Sequence, residues 1–214
     1  SDKYYYYTMN VPSSVVPTLS QVTCSEYMSD VHNLIGAYVQ NKSRLSLAII
    51  GATGSYGSVI TTYKISVAGQ TINAVSGTTG IMTTSGNQTI TATITDSRGR
   101  TATKSISVNV LPYIHPKING VGVERNTDTS ARVTANLLAT SLIVNGIEKN
   151  FSRYLIEYKS VDASSYTQIE ASAESLSYAL SKTITGLNEA KSYDFRVYVG
   201  DVFGYNSAYE ILHI

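Results

Sequence analysis

Residues 89–95 read Thr-Ile-Thr-Ala-Thr-Ile-Thr, and after Asp96-Ser97-Arg98-Gly99 the alternation resumes at residues 100–110 as Arg-Thr-Ala-Thr-Lys-Ser-Ile-Ser-Val-Asn-Val. Alternation on both sides of a tight turn marks two long antiparallel strands, because successive side chains on a strand point to opposite faces. Ile90, Ala92 and Ile94 on one run, with Ile106, Val108 and Val110 on the other, are predicted to face a core while the intervening polar residues meet water. The device returns downstream. Tyr193, Phe195, Val197 and Val199 alternate with Asp194, Arg196 and Tyr198 and lead into Asp201-Val202-Phe203-Gly204, so that Asp201 follows Asp96 by 105 residues. That spacing is the length of one β-sandwich of about 100 residues. In each turn Asp can accept hydrogen bonds from the following amides and Gly can adopt positive φ.

Composition agrees with an all-β chain of two tandem β-sandwiches. Of 214 residues, 43% are hydrophobic, enough to build cores, and only 14% are charged; Tyr and Gly are frequent at 17 and 15. A formal net charge of +1, with no basic run, removes the electrostatic case for nucleic-acid binding. The apolar stretch Leu45–Ile50 falls far short of the roughly 20 residues a spanning helix needs, and the start Ser1-Asp2-Lys3-Tyr4 is unlike a secretory signal. The lone Cys24 cannot form an internal disulfide. Leu111-Pro112-Tyr113-Ile114-His115-Pro116-Lys117 reads as a short stiff connector, since two prolines cannot sit in a central strand ladder. Formal charge changes there, from +3 up to Pro112 to −2 beyond it.

Further strands are expected around Leu45, Leu47 and Ile49, around Tyr63, Ile65 and Val67 with a hairpin turn at Ala68-Gly69-Gln70, around Ala131, Val133, Ala135 and Leu137, around Tyr154, Ile156 and Tyr158, and over 183–187. No amphipathic helix is predicted; residues 163–180 read as an irregular strand-loop-strand.

The glycine-rich stretch Leu45 to Gly57 resembles the nucleotide-binding turn of extended short-chain dehydrogenases, but such a site needs a helix directly after the glycines and an acid about 20 positions on. Here the β-branched run 58–67 follows and the next acid is Asp96, so a loop between strands is expected and no cofactor. His32, His115 and His213 are scattered, which leaves no metal site, and Cys24 reads as a small strand residue rather than a nucleophile paired with His32. The acids read as solvated strand faces, so no catalytic residue is expected. Tyrosine is the informative residue type, because exposed Tyr among Ser, Thr and Asn makes an adaptable binding surface. Tyr63, Tyr154, Tyr158 and Tyr193 fall in alternating strands and are assigned to core or rim; Tyr56, Tyr205 and Tyr209 lie in or near loops and are the candidate surface-binding residues. Tyr4 to Tyr7 is expected to be the end of an edge strand that belongs to something upstream.

Leu187 followed by Tyr193, with Tyr193-Asp194-Phe195-Arg196-Val197 and Asp201-Val202-Phe203-Gly204, resembles the last two strands of a fibronectin type III domain. The resemblance makes Tyr193 the corner tyrosine, its hydroxyl bonding to backbone near Leu187. Residues 138–149 are longer than that family's usual connection and are expected to add a strand or a projecting loop.

In the first half, Val15-Val16-Pro17-Thr18-Leu19-Ser20, Tyr38-Val39-Gln40-Asn41-Lys42-Ser43, Ser55-Tyr56-Gly57-Ser58, Thr78-Thr79-Gly80 and Thr95-Asp96-Ser97-Arg98-Gly99-Arg100-Thr101-Ala102 resemble the immunoglobulin-like segments of minor structural proteins in the tails of long-tailed phages of Gram-positive bacteria. The order implied is a linker or the end of a preceding domain over 1–16, an immunoglobulin-like sandwich over 17–111, the Pro-rich linker 112–117 and a fibronectin type III-like sandwich over 118–214. The resemblance further implies a non-enzymatic module of a virion's tail, in baseplate or fibre, acting extracellularly as a spacer or a host-surface binder. Its partners would be other tail subunits and host cell-wall carbohydrate, without nucleic acid or membrane insertion, and any oligomerisation would come through other parts of the protein. The alternatives are a surface adhesin segment of a Gram-positive bacterium and an accessory region of a tail-associated cell-wall hydrolase.

Overall fold

A computed structural model describes residues 2–214. The chain forms two compact units, one of Ser1–Ser29 and Tyr38–Val110, the other of Asp30–Ala37 and Leu111–Ile214.

The strands of the first unit are, in chain order, β1 (Gln21–Glu26), β2 (Tyr38–Val39), β3 (Leu45–Ile50), β4 (Ile60–Val67), β5 (Gln70–Ile72), β6 (Ser76–Thr78), β7 (Gly86–Asp96) and β8 (Thr101–Leu111). They make a three-stranded sheet ordered β1-β3-β6 and a five-stranded sheet ordered β2-β8-β7-β4-β5. Leu45, Leu47 and Ile49 of β3 share one core with Ile65 and Val67 of β4 and Ile90, Ala92 and Ile94 of β7, so residues of both sheets meet in a single apolar layer. The alternation read from the sequence is therefore the inward face of these strands, and each fully buried Ile or Leu stabilises the unit by roughly 1.5–3 kcal/mol. β7 and β8 pair in continuous register from Gly86↔Val110 to Thr95↔Thr101 across the Asp96–Gly99 turn.

One expectation is corrected here. Ser29–Leu34 forms a six-residue helix, α1, with Asp30 in its first turn and Val31 buried. One and a half turns are too short for apolar periodicity to stand out. Tyr4 to Tyr7 pair with no strand of this chain and are exposed.

In the second unit the strands are β9 (Lys117–Thr127), β10 (Ser130–Leu138), β11 (Ile143–Val144), β12 (Ile147–Glu148), β13 (Arg153–Ser160), β14 (Thr167–Ser172), β15 (Ser177–Thr185), β16 (Tyr193–Asp201) and β17 (Gly204–His213). One sheet is ordered β15-β10-β9 and another β14-β13-β16-β17, while β11 and β12 form a small separate hairpin inside the long 138–149 connection. Ala131, Val133, Ala135 and Leu137 of β10 pack in one core with Tyr154 and Ile156 of β13 and Tyr193, Phe195, Val197 and Val199 of β16. Residues 163–180 are strand, loop and strand. The Tyr193 hydroxyl accepts the Asn188 amide at 2.9 Å, the backbone contact that its corner position requires. Tyr113, inside the Pro-flanked stretch, is buried, and its hydroxyl donates to Asp201 Oδ2 at 2.9 Å.

Candidate functional site

The four-stranded sheet of the second unit has one face in the core and one outside it. On β13 the even-numbered Tyr154 and Ile156 point inward, which turns Arg153, Leu155, Glu157 and Lys159 outward; on β16 the inward Tyr193, Phe195, Val197 and Val199 leave Asp194, Arg196 and Tyr198 outside. Register then decides which outward residues meet. Glu157 lies opposite Arg196 and Gln168, Tyr198 opposite Tyr209, Arg196 opposite Ile211, and Gly200 opposite both Arg153 and Tyr205.

The result is an outward face that carries two tyrosine–arginine clusters. The Arg196 guanidinium carbon stands 4.1 Å from the Tyr166 ring centroid and 5.1 Å from that of Tyr209, over both rings. The Tyr198 and Tyr209 rings are 4.8 Å apart and tilted by 46°. The Tyr198 hydroxyl donates to Glu157 Oε2 at 3.1 Å, the Gln168 amide donates to Glu157 Oε1 at 2.7 Å, and Arg196 Nη1 is 3.6 Å from Glu157 Oε2. At the other end of the sheet Arg153 lies 4.9 Å over the Tyr205 ring and 3.8 Å from Glu170. Burial, followed by the hydrogen bond to Glu157, pushes the Tyr198 phenol up, so it stays a donor at neutral pH. Burial also raises the Tyr205 phenol, whose hydroxyl donates to the Tyr154 carbonyl at 3.1 Å.

Of the three tyrosines singled out from the sequence, Tyr205 and Tyr209 come together on this one face, inside β17 rather than in a loop. Tyr56 belongs to the first unit, in the loop between β3 and β4, with 80% of its surface exposed and φ at 48°. Sequence reading missed Tyr166, Arg196, Tyr198, Glu157 and Arg153. The signal for Arg196 and Tyr198 was present as strand parity, since both alternate with buried residues of β16, but their neighbours are set by pairings with β13 and β17 far away in the chain.

The glycine-rich stretch proves to be a tightly closed loop. A Cβ on Gly54 would sit 2.0 Å from the Ser58 carbonyl oxygen, so no larger residue fits this approach. Ser58 Oγ accepts the Ser55 amide at 3.0 Å, and the Arg98 guanidinium covers the carbonyls of Ser55 and Tyr56 at 2.7 and 2.5 Å. Strand β4, not a helix, follows the glycines. Burial pushes the Cys24 thiol up, which keeps it protonated and a poor nucleophile. Among the described residues no group of three or more His, Cys, Asp or Glu could hold a metal ion, and none of the longer helices needed to cross a membrane occurs.

The family described as siphovirus protein of unknown function (DUF859) matches residues 2–207. The chain belongs to that family. Membership agrees, at the level of a long-tailed phage protein, with the phage-tail motifs read from the first half of the sequence. No curated protein matches the chain. Solved structures similar to it include chicken CNTN1 FN1-FN3 domains, at 13% identity and TM-score 0.35 over 84% of this chain and 65% of that one. They also include a segment of two fibronectin type III domains from chicken tenascin, at 12% identity and TM-score 0.35 over 92% and 99% of the two chains. Titin domains A168-A170 are similar at 17% identity and TM-score 0.41, over 89% of this chain and 65% of that one. The chain thus spans 65% of the length of the CNTN1 segment. The second unit's own strand order, β15-β10-β9 and β14-β13-β16-β17, and its corner tyrosine give an all-β arrangement that resembles fibronectin type III and immunoglobulin folds.

Proposed function

We propose that this chain is a structural and adhesion module of a siphovirus tail, in baseplate or fibre, held among other tail subunits on the outside of the virion. In this reading it is built as an immunoglobulin-like sandwich over 17–111, a Pro-rich linker over 112–117 and a fibronectin type III-like sandwich over 118–214. The module binds host cell-wall carbohydrate through Tyr205 and Tyr209, with Tyr56 as an exposed contact on the first unit. The observation that carries the reading is the gathering of Tyr205 and Tyr209 with Tyr166 and Tyr198 on one solvent-side sheet face, braced by Arg153 and Arg196. Tyrosine supplies large amphipathic contact area at low entropy cost, which suits a surface meant for recognition.

The test is co-sedimentation of the purified chain with cell walls from a panel of Gram-positive bacteria. Strain-selective binding that weakens in Tyr209→Ala is expected. A folded chain that sediments with no wall would overturn adhesion and leave a spacer.

A further inference from the structure

The charges of the tyrosine–arginine face restrict what it can hold. Among the described residues three cations, Arg153, Lys159 and Arg196, stand on it with three carboxylates, Glu157, Glu170 and Asp194. Arg196 faces Glu157, Arg153 faces Glu170, and Asp194 is taken by His213 at 2.7 Å. The Lys159 ammonium donates to the Ala163 carbonyl at 2.8 Å and lies 5.4 Å from the Tyr166 ring. Arg196 is committed further: its guanidinium carbon lies over two rings, and its Nε is buried with no hydrogen-bond partner among the described residues. An anionic polymer needs cations with free donor edges, and a cationic one needs unpaired carboxylates. This face is balanced for neither.

Two apolar groups stand out of the balanced field: Tyr209, 38% exposed, and Ile211, 50% exposed, both outward on β17. The strand pairing sets Tyr198 beside Tyr209 and Arg196 beside Ile211, with the paired His213 two residues further along β17. Apolar contacts flanked by paired hydrogen-bonding groups match a ligand that is uncharged, hydroxylated at its edges and C–H-rich on its faces. We infer that the occupant of this face is a neutral, pyranose-rich polysaccharide, with Tyr209 and Ile211 as its apolar contacts, and not an anionic polyol-phosphate polymer. The inference rests on the adhesion reading above and narrows it to one ligand chemistry.

The experiment titrates the 214-residue chain against two fractions of the same bound walls: the neutral polysaccharide, freed of polyol phosphate, and the polyol-phosphate polymer alone. Each titration is run at low and at high salt. Binding to the neutral fraction is expected, changing less than about twofold with salt because no net charge is neutralised. Tyr209→Ala should weaken it about tenfold or more, as loss of a central aromatic contact does, while Tyr209→Phe should retain it. Ile211→Glu, a second change on the same exposed row, should weaken it too, with thermal unfolding confirming that each variant is folded. Binding to the polyol phosphate with steep salt dependence overturns the inference and leaves adhesion standing. Binding to the neutral fraction by folded Tyr209→Ala and Ile211→Glu at full strength overturns the placement on this face. Binding to neither fraction nor the intact walls overturns both readings together.

Discussion

The same hairpin turn closes the last two strands of each unit, and the two copies are held in different ways. In the first, Asp96 Oδ1 accepts the amides of Arg98 and Arg100, both at 2.9 Å. In the second, Asp201 Oδ1 accepts the Phe203 amide at 2.9 Å, while Oδ2 takes the Tyr113 hydroxyl at 2.9 Å and the Asn150 side-chain amide at 3.3 Å. Asn150 in turn accepts the Val202 amide at 3.1 Å and donates to the Thr140 carbonyl at 2.7 Å. The first turn thus works outward, through Arg98 to the 55–56 loop and through Arg100 to the carbonyls of Val11 and Val15. The second works inward, as the centre of a buried network of uncharged donors around one carboxylate. Both acids are buried; the local motif fixes the backbone of the turn, and the surroundings decide whether its acid bonds only the turn or also side chains far away in the chain.

The comparison breaks most directly at the acid of the second turn. Asp201→Ala removes the carboxylate that accepts the buried Tyr113 hydroxyl and one of the two acceptors of the Asn150 amide, and is expected to destabilise the second unit by on the order of 3–5 kcal/mol. Hydrogen exchange would show amide protection falling in β10, β13 and β16 while β3 and β7 keep theirs; equal loss in both units would mean that the turns are not separate devices. Tyr113→Phe removes one charge-assisted bond and should cost the same unit about 2 kcal/mol in urea unfolding.

Smaller effects sharpen the contrast. Gly99 has φ at 75° and Gly204 at 108°, so a β-branched side chain is strained at either. Gly99→Val is expected to lower the melting stability of the first unit by about 1 kcal/mol or more, and unchanged unfolding would reject the turn's control of that unit. Tyr193→Phe should lower the second unit alone by about 1 kcal/mol, for the lost acceptor of the Asn188 amide.

The weakest signal is a slope with pH. Burial raises the Asp96 carboxyl, but the Arg100 and Arg98 amides, the Ser58 hydroxyl and the Arg100 charge outweigh it and hold the group below the ordinary aspartate value of 3.8. Its contribution is therefore fully present above that value and is lost as pH falls through the lower folded one. Acid unfolding of the first unit should flatten in Asp96→Asn, and an unchanged acid slope would show that other carboxylates set it.

Strands such as β7, β10 and β16 were legible because one face is buried, which forces a period of two into the sequence. The strands of two or three residues, β2, β5, β6, β11 and β12, carry too few positions to show any period, and α1 is hidden for the same reason. Tyr113 was read as connector because prolines flank it; its partner Asp201 is 88 residues away, beyond any local pattern. The candidate face was half legible. Tyr205 and Tyr209 could be singled out by residue type, but the ring of Tyr166 over Arg196 depends on a loop folding back across the sheet. Glu157 as the acceptor shared by Tyr198 and Gln168 depends on three-strand register.

The buried Tyr113 also has a mechanical meaning. Tension on the chain ahead of β9 reaches Tyr113 before it reaches the first residue of that edge strand, and Tyr113 is bonded to Asp201 at the tip of the β16–β17 hairpin. A pull that would otherwise peel β9 from β10 one hydrogen-bond pair at a time is delivered instead to the turn joining the unit's last two strands. The unit must therefore give way at a buried side-chain clamp before its edge can unzip.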